Sequence, residues 1–249
     1  MPPRYNFEKI KFATDRGIFE RAVKIYDSNG VKNFEDTGFG FTAKVQGSGG
    51  NLYKVSISNS SYDEGSCGCY LGQNNYLCKH MVAAAIHACL DGKVISKEEK
   101  ELFNGPVCSG KLGEFKKNEL AETKNFITAA LKYVKPYNGP SRIWFAYQNS
   151  LSEGCARLSA MVSKWPISEQ TAGLLVGLLL LLDKKLCTGG VDDSDGTVGG
   201  FMEEAVVMLQ EYTKLDPSCV KAFKKFCGRS TCFGWEEPLI KIFDERRSS

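Results

Sequence analysis

The sequence predicts an α+β chain. A small antiparallel sheet comes first and leads into a hairpin-plus-helix element, and an all-α region follows, either a helical bundle or stacked helical hairpins. Three observations carry this. Between residues 19 and 57 apolar positions alternate and are broken by Asn-Gly and Gly-Gly turns. Between residues 67 and 80 three cysteines and a histidine crowd together. From about residue 119 onward apolar residues recur at helical spacing, and no convincing strand is present.

Residues 1–17 have mixed charge and little periodicity and read as an extended lead-in. Phe19, Val23 and Ile25 read as one face of a strand that Arg21 interrupts. Asp27-Ser28-Asn29-Gly30 is a hairpin signal, because both Asn and Gly accept positive φ, and Val31 to Phe34 is the expected return strand. Phe41 to Val45 alternates again, Ser48 to Asn51 is a second turn, and Tyr53, Val55 and Ile57 share one side of a further strand. From Cys78 the spacing of Met81, Val82, Ala85, Ile86 and Cys89 predicts a helix that Asp91-Gly92 ends. Ser96 to Glu99 is a capping box opening a short helix to Phe103, and Asn104 to Gly113, with Gly, Pro and Ser, is the connecting segment. The expected domains are 1–92 and 93–249.

Helices are then expected from Glu119 to Val134, with Phe126, Ala130, Leu131 and Val134 inward, and from Arg142 to about Lys164, capped by Ser141 and interrupted by Gly154. Ser168 caps the next, to about Leu186; its run Ala172 to Leu182 is apolar all round and is expected to be buried on every side. Others run from about Gly200 to Lys214, from Pro217 to Cys227 behind Asp216, and from about Trp235 to Glu245. No period is strict enough to name a repeat family.

The strongest chemistry is Cys67-Gly68-Cys69, the spacer Tyr70 to Leu77, then Cys78-Lys79-His80. Thiolates and imidazole are the ligands zinc takes in a closed tetrahedron, and two pairs separated by a short loop can wrap one ion. Gly65 and Gly68 let the backbone turn around it. Four protein ligands and a thiolate-rich shell leave no open position, so one structural Zn2+ is expected at Cys67, Cys69, Cys78 and His80, not a catalytic one. The other histidine, His87, is two turns along the same helix and too far away to join them, so it is expected to be structural or at the surface. The CxC…CxH pattern resembles the SWIM-type zinc finger, named for chromatin-remodelling ATPases and Mu-type transposases that carry it. The resemblance extends upstream through Phe19 to Val23 and Ala43 to Ser48, and ends at about Leu90. It implies a two-strand-plus-helix clasp, and DNA binding or protein contacts in DNA-handling assemblies.

Composition excludes less. A chain of 249 residues with 43% hydrophobic and 24% charged content is an ordinary globular one. The longest apolar run is too short to span a bilayer and no secretory signal fits the start, so no membrane partner is expected. Ten cysteines, three clustered with a histidine and seven scattered, suggest an intracellular, reduced protein, cytoplasmic, or nuclear in a eukaryotic cell. Asp192 to Gly196 fails the EF-hand pattern, since Val191 and Met202 stand where acids are required, and reads as a polar loop between helices. Cys155 has no free histidine to activate it, and Gly105 to Gly110 lacks the Lys-Ser/Thr ending of a phosphate loop. No enzyme is expected.

A net charge of +3 gives no strong bias towards nucleic acid, although Arg21, Lys24, Lys44, Lys54 and Lys79 lie near the finger with Tyr70 and Tyr76 in its loop. Glu20, Asp63 and Glu64 balance them in part. Nucleic-acid contacts are assigned to Arg21, Lys24 and Lys44 on the adjoining sheet and to Lys79 between two ligands. Two functions are therefore open. One is a zinc-dependent, weakly sequence-selective nucleic-acid-binding module acting with a DNA-processing partner, such as an ATPase, helicase or recombination subunit. The other is a protein–protein adaptor working through the helical region.

Overall fold

The computed structural model describes residues 2–247 and divides them into two compact units, met at Leu102 and Phe103. Among the described residues no helix is long and apolar enough to cross a membrane.

The first unit begins with two helices where an extended lead-in and a strand were expected. Asn6 accepts from the Lys9 amide and starts α1 (Phe7–Ala13), whose Ile10 is fully buried. Asp15 does the same for α2 (Arg16–Asp27), accepting from Ile18 N. The apolar residues of α2 recur as Phe19, Ala22, Val23 and Tyr26, all buried, which is a helical and not an alternating period. Arg21, which broke the supposed strand, lies outside that buried face. Asn29, at φ 53°, and Gly30 then close the helix rather than a hairpin: Gly30 N donates to Ile25 O and Asn29 N to Tyr26 O.

Strands β1 (Val31–Asp36), β2 (Gly40–Gln46), β3 (Leu52–Ser58) and β4 (Gly65–Cys67) form an antiparallel meander in sequence order. Phe41, Ala43, Val45, Val55 and Ile57 are buried, so one face of the sheet joins the core and the alternate residues lie on the open face. The core face packs on α4 (Lys79–Leu90), which in turn packs on α2. Two short helices, α3 (Tyr70–Gln73) and α5 (Lys97–Lys100), complete the unit; α5 carries the expected capping box but ends earlier than Phe103. The unit runs past residue 92 because Ile95 is buried in its core. Lys11 Nζ donates to Glu99 O at 2.7 Å and Lys100 pairs with Asp27 at 2.8 Å.

The second unit is all helix apart from an isolated bridge between Leu112 and Ile167. It comprises α6 (Lys117–Ala130), α7 (Trp144–Val162), α8 (Glu169–Cys187), α9 (Thr197–Leu215), a 3-10 segment Pro217–Phe226 and α10 (Glu237–Arg247). Thr123, Ile127 and Ala130 are the buried residues of α6; of the expected inward set Ala130 and Val134 are buried and Leu131 packs against the core, while Phe126 is 62% exposed. A 3-10 turn, Ser141–Ile143, precedes α7. Gly154 does not interrupt α7: a Cβ there would meet Tyr133 Cβ at 2.9 Å, so its absence lets the end of the α6 segment lie close. Ser168 caps α8 as expected, but Leu181 is 49% exposed, so this helix is not buried on every side. Asp192 accepts from Trp144 Nε1, and Asp193 accepts from Val198 N and Gly199 N at the start of α9. The acidic loop therefore serves a helix terminus.

Cys187 and Cys232 form a disulfide, correcting the expectation that the scattered cysteines are all reduced; the other eight are free. These two are 45 residues apart in sequence, and only packing brings their Cα atoms to 6.0 Å. Beside them, buried Asp183 Oδ1 accepts from Cys232 N at 2.9 Å and from Trp235 Nε1 at 2.8 Å. Replacing Asp183 by Ala strands both donors and is expected to cost about 2–3 kcal/mol. Asp183→Asn keeps an oxygen acceptor and is expected to lose less. Denaturation followed by tryptophan fluorescence checks this, because Trp144, Trp165 and Trp235 all lie in the helical unit.

Candidate metal centre

Each ligand position follows from local structure. Cys67 ends β4, held opposite Val55 of β3. One residue on, Gly68 N donates to Lys54 O at 3.1 Å, and the chain leaves the sheet. Cys69 caps α3, its sulfur accepting from Gly72 N at 3.4 Å. Cys78 is the cap residue of α4 and His80 lies on its first turn. A strand end and a helix start thus face each other across the loop between them.

The four side chains are buried and their ligand atoms all lie within 4.8 Å of one another. His80 Nδ1 is 3.7 Å from Cys67 Sγ and 3.8 Å from Cys78 Sγ. Zinc–sulfur and zinc–nitrogen bonds of roughly 2.3 and 2.0 Å give tetrahedral edges of roughly 3.5–3.8 Å, so the donor set fits one ion with Nδ1 as the inward nitrogen. His80 Nε2 is buried without a hydrogen-bond partner among the described residues, and the ring rests against Tyr53 at 4.7 Å between centroids. Electrostatics suit a cation as well. The hydrogen bond from Cys67 holds the Cys78 thiol at about 4, well below its ordinary value, and the same bond pushes Cys67 up. When bound, the ion supplies structural cross-linking of the two ligand pairs; the four protein donors leave it no open position.

These features define a closed CxC…CxH zinc centre on a strand-loop-helix clasp. Residues 53–89 match the family model of the SWIM zinc finger, and this chain carries one such finger with one structural zinc. The match starts at Tyr53, so Phe19 to Val23 and Ala43 to Ser48, which also bear the resemblance, lie outside it. No curated protein and no solved structure matches the chain.

The remaining candidates sort by position. His87 is not at the centre; it packs on the rings of Phe34 and Tyr26, and burial draws its imidazole below the ordinary value against an opposing effect of Asp91. Burial pushes the Cys155 thiol up, away from nucleophilic reactivity. Asp183, Cys187 and Cys232 also lie together, but the two sulfurs are joined to each other and the carboxylate holds two donors. Arg21, Lys24 and Lys79 line one cleft of about 580 Å³ with Gln46, Gly47 and Ser48, and Lys79 Nζ donates to Ser48 Oγ at 3.1 Å. Arg21 and Lys24 reach it from α2, not from the sheet as expected. Lys44 is exposed on a different surface, the open face of the sheet, since its neighbours Ala43 and Val45 are buried.

Gly72 lies in the spacer between the two ligand pairs. In the structure a Cβ at Gly72 would come within 2.4 Å of Cys67 O and 2.5 Å of Cys67 Cβ. Its place in the spacer between the ligand pairs is the only signal the sequence offers. Gly72→Ala is expected to loosen zinc without touching a ligand, seen as faster transfer to a chromophoric chelator. Metal analysis of the unaltered chain is expected to find one zinc, released when Cys69→Ser removes a donor. An unchanged content in that variant contradicts the assignment.

Proposed function

We propose that the chain is a non-enzymatic nucleic-acid-binding module whose zinc finger positions cations against the phosphate backbone, and that it acts beside a DNA-processing protein such as an ATPase, helicase or recombination subunit. One observation carries this reading: Arg21, Lys24 and Lys79, from two different helices, converge on one cleft next to the metal ligands. Neither Arg21 nor Lys24 has an ion-pair partner among the described residues. Zinc keeps Lys79 in register by gripping the residues on either side of it. Three of the side chains lining the cleft are cations, which favours phosphate contact of low sequence selectivity.

Three phosphate contacts correspond to a salt slope of roughly −3 on duplex DNA and to affinities in the micromolar range. Changing Arg21, Lys24 and Lys79 together to Glu is expected to abolish duplex binding at low salt while zinc content stays at one per chain, because none of the three is a ligand. Fluorescence anisotropy with labelled duplex and single-stranded oligonucleotides, paired with metal analysis, decides it. The adaptor reading draws on exposed Phe126, Phe145 and Phe233 in the helical unit, apolar surface suited to a protein partner. It takes over if the unaltered chain binds neither oligonucleotide.

A further inference from the structure

The strand register places three lysines in one line. Lys32 of β1 is directly opposite Lys44 of β2, and Lys44 is directly opposite Lys54 of β3. All three are exposed on the open face of the sheet. None of them takes part in an ion pair or a side-chain hydrogen bond among the described residues. Like charges directly opposite on adjacent strands repel, and the neighbouring Cα atoms are only about 4.5–5.5 Å apart. The nearest carboxylate on this face in the register, Glu35, is opposite Thr42, in the neighbouring row and not in line with the three lysines. Protection of a sheet edge accounts for a lysine on β1. It does not account for Lys44 and Lys54, because β2 and β3 are the inner strands.

We propose that this row is a second, distinct phosphate-binding track and that its ligand is a single strand of nucleic acid, an inference that rests on the nucleic-acid reading above. The row spans two strand gaps, about 10 Å, so it matches one backbone laid across the strands. Its continuation is open: Gly68 stands in register beyond Lys54 and a Cβ there would meet only Tyr53, at 3.9 Å. Two residues further, Tyr70 is 80% exposed, a ring free to stack on an unpaired base. A duplex keeps its bases stacked inside and gains nothing from that ring. The arrangement also carries a signature that needs no ligand, since the repulsion is present in the free protein and an anionic strand relieves it.

The test compares the unaltered chain, the triple variant Lys32→Gln, Lys44→Gln, Lys54→Gln, and the cleft variant, by anisotropy with labelled oligothymidylate and with a duplex. The row variant is expected to lose at least about tenfold in affinity for oligothymidylate, its salt slope shrinking by about 2 for three lost contacts on a single strand. Its duplex affinity is expected to stay within about twofold of the unaltered chain, as the cleft is intact. An unaltered oligothymidylate affinity in the row variant, with the cleft variant impaired, overturns this inference and leaves the preceding one standing. Equal losses on both oligonucleotides overturn the single-strand assignment. No binding by the unaltered chain overturns both readings. Independently, Lys44→Gln alone is expected to raise the midpoint of heat-driven zinc release by about 2–5 °C at low salt and by much less in 1 M salt. No rise at low salt contradicts the unrelieved repulsion on which the proposal stands.

Discussion

The first unit depends on closing four donors around one point from elements too short to persist alone. Strand β4 has three residues and α3 has four. A helix of that length is marginal in water, and so is an isolated strand pair. Cys67 and Cys69 must nevertheless be held where Cys78 and His80 can meet them. The absence of a side chain at Gly72 permits the approach, and the backbone amide donated to Cys69 steadies its sulfur. A metal ion then converts a loose loop into a fixed corner, in the way that ligand binding and folding are coupled in small zinc domains.

The same helix that supplies half of the ligands supplies the centre of the core. After His80 the residues Met81 to Ile86 of α4 are all buried between the sheet and α2. The metal corner is therefore mechanically continuous with the hydrophobic core, and the ends of α4 differ in role. Its first turn presents Lys79 to the cleft, while near its last turn His87 fills space against Phe34 and Tyr26. Because α2 packs along α4, the solvent side of α2 brings Arg21 and Lys24 to the same opening. The cationic cleft is thus a by-product of how two helices cover one sheet face, and the opposite face is left to the lysine row.

The helical unit is held in a different way. Its core is apolar, with Leu151, Leu158, Leu175, Leu178, Leu209 and Phe223 among the fully buried side chains, and burial of this kind is non-directional. Direction comes from a few polar fasteners: Asp183 ties α8 to the segment before α10, Asp192 and Asp193 tie the α8–α9 loop to α7 and α9, and buried Glu153 pairs with Arg157 at 2.9 Å. Cys187 and Cys232 add a covalent fastener at the same place as Asp183.

What the sequence determined by itself was chemistry confined to short spacings. Ligand identity at Cys67, Cys69, Cys78 and His80, the helix running from Cys78 to Asp91, the capping box at Ser96, the cap at Ser168, and the strands around Val45 and Val55 all depend on residues a few positions apart, where backbone geometry is nearly local. The strand misread at Phe19 to Ile25 shows the limit: Phe19 and Val23 are compatible with either period, and only burial of Ala22 and Tyr26 against α4 selects the helix. Asn29-Gly30 likewise accepts positive φ in a hairpin or at a helix end, and the helix before it decides. Tertiary structure alone decided the rest. Arg21 and Lys24 meet Lys79 because two helices pack, Lys32 faces Lys44 and Lys44 faces Lys54 because a bulge and two turns set the register, and Cys187 reaches Cys232 because α8 and the lead-in to α10 share a core. None of these pairings is encoded in neighbouring residues; each follows from where distant apolar surfaces bury one another.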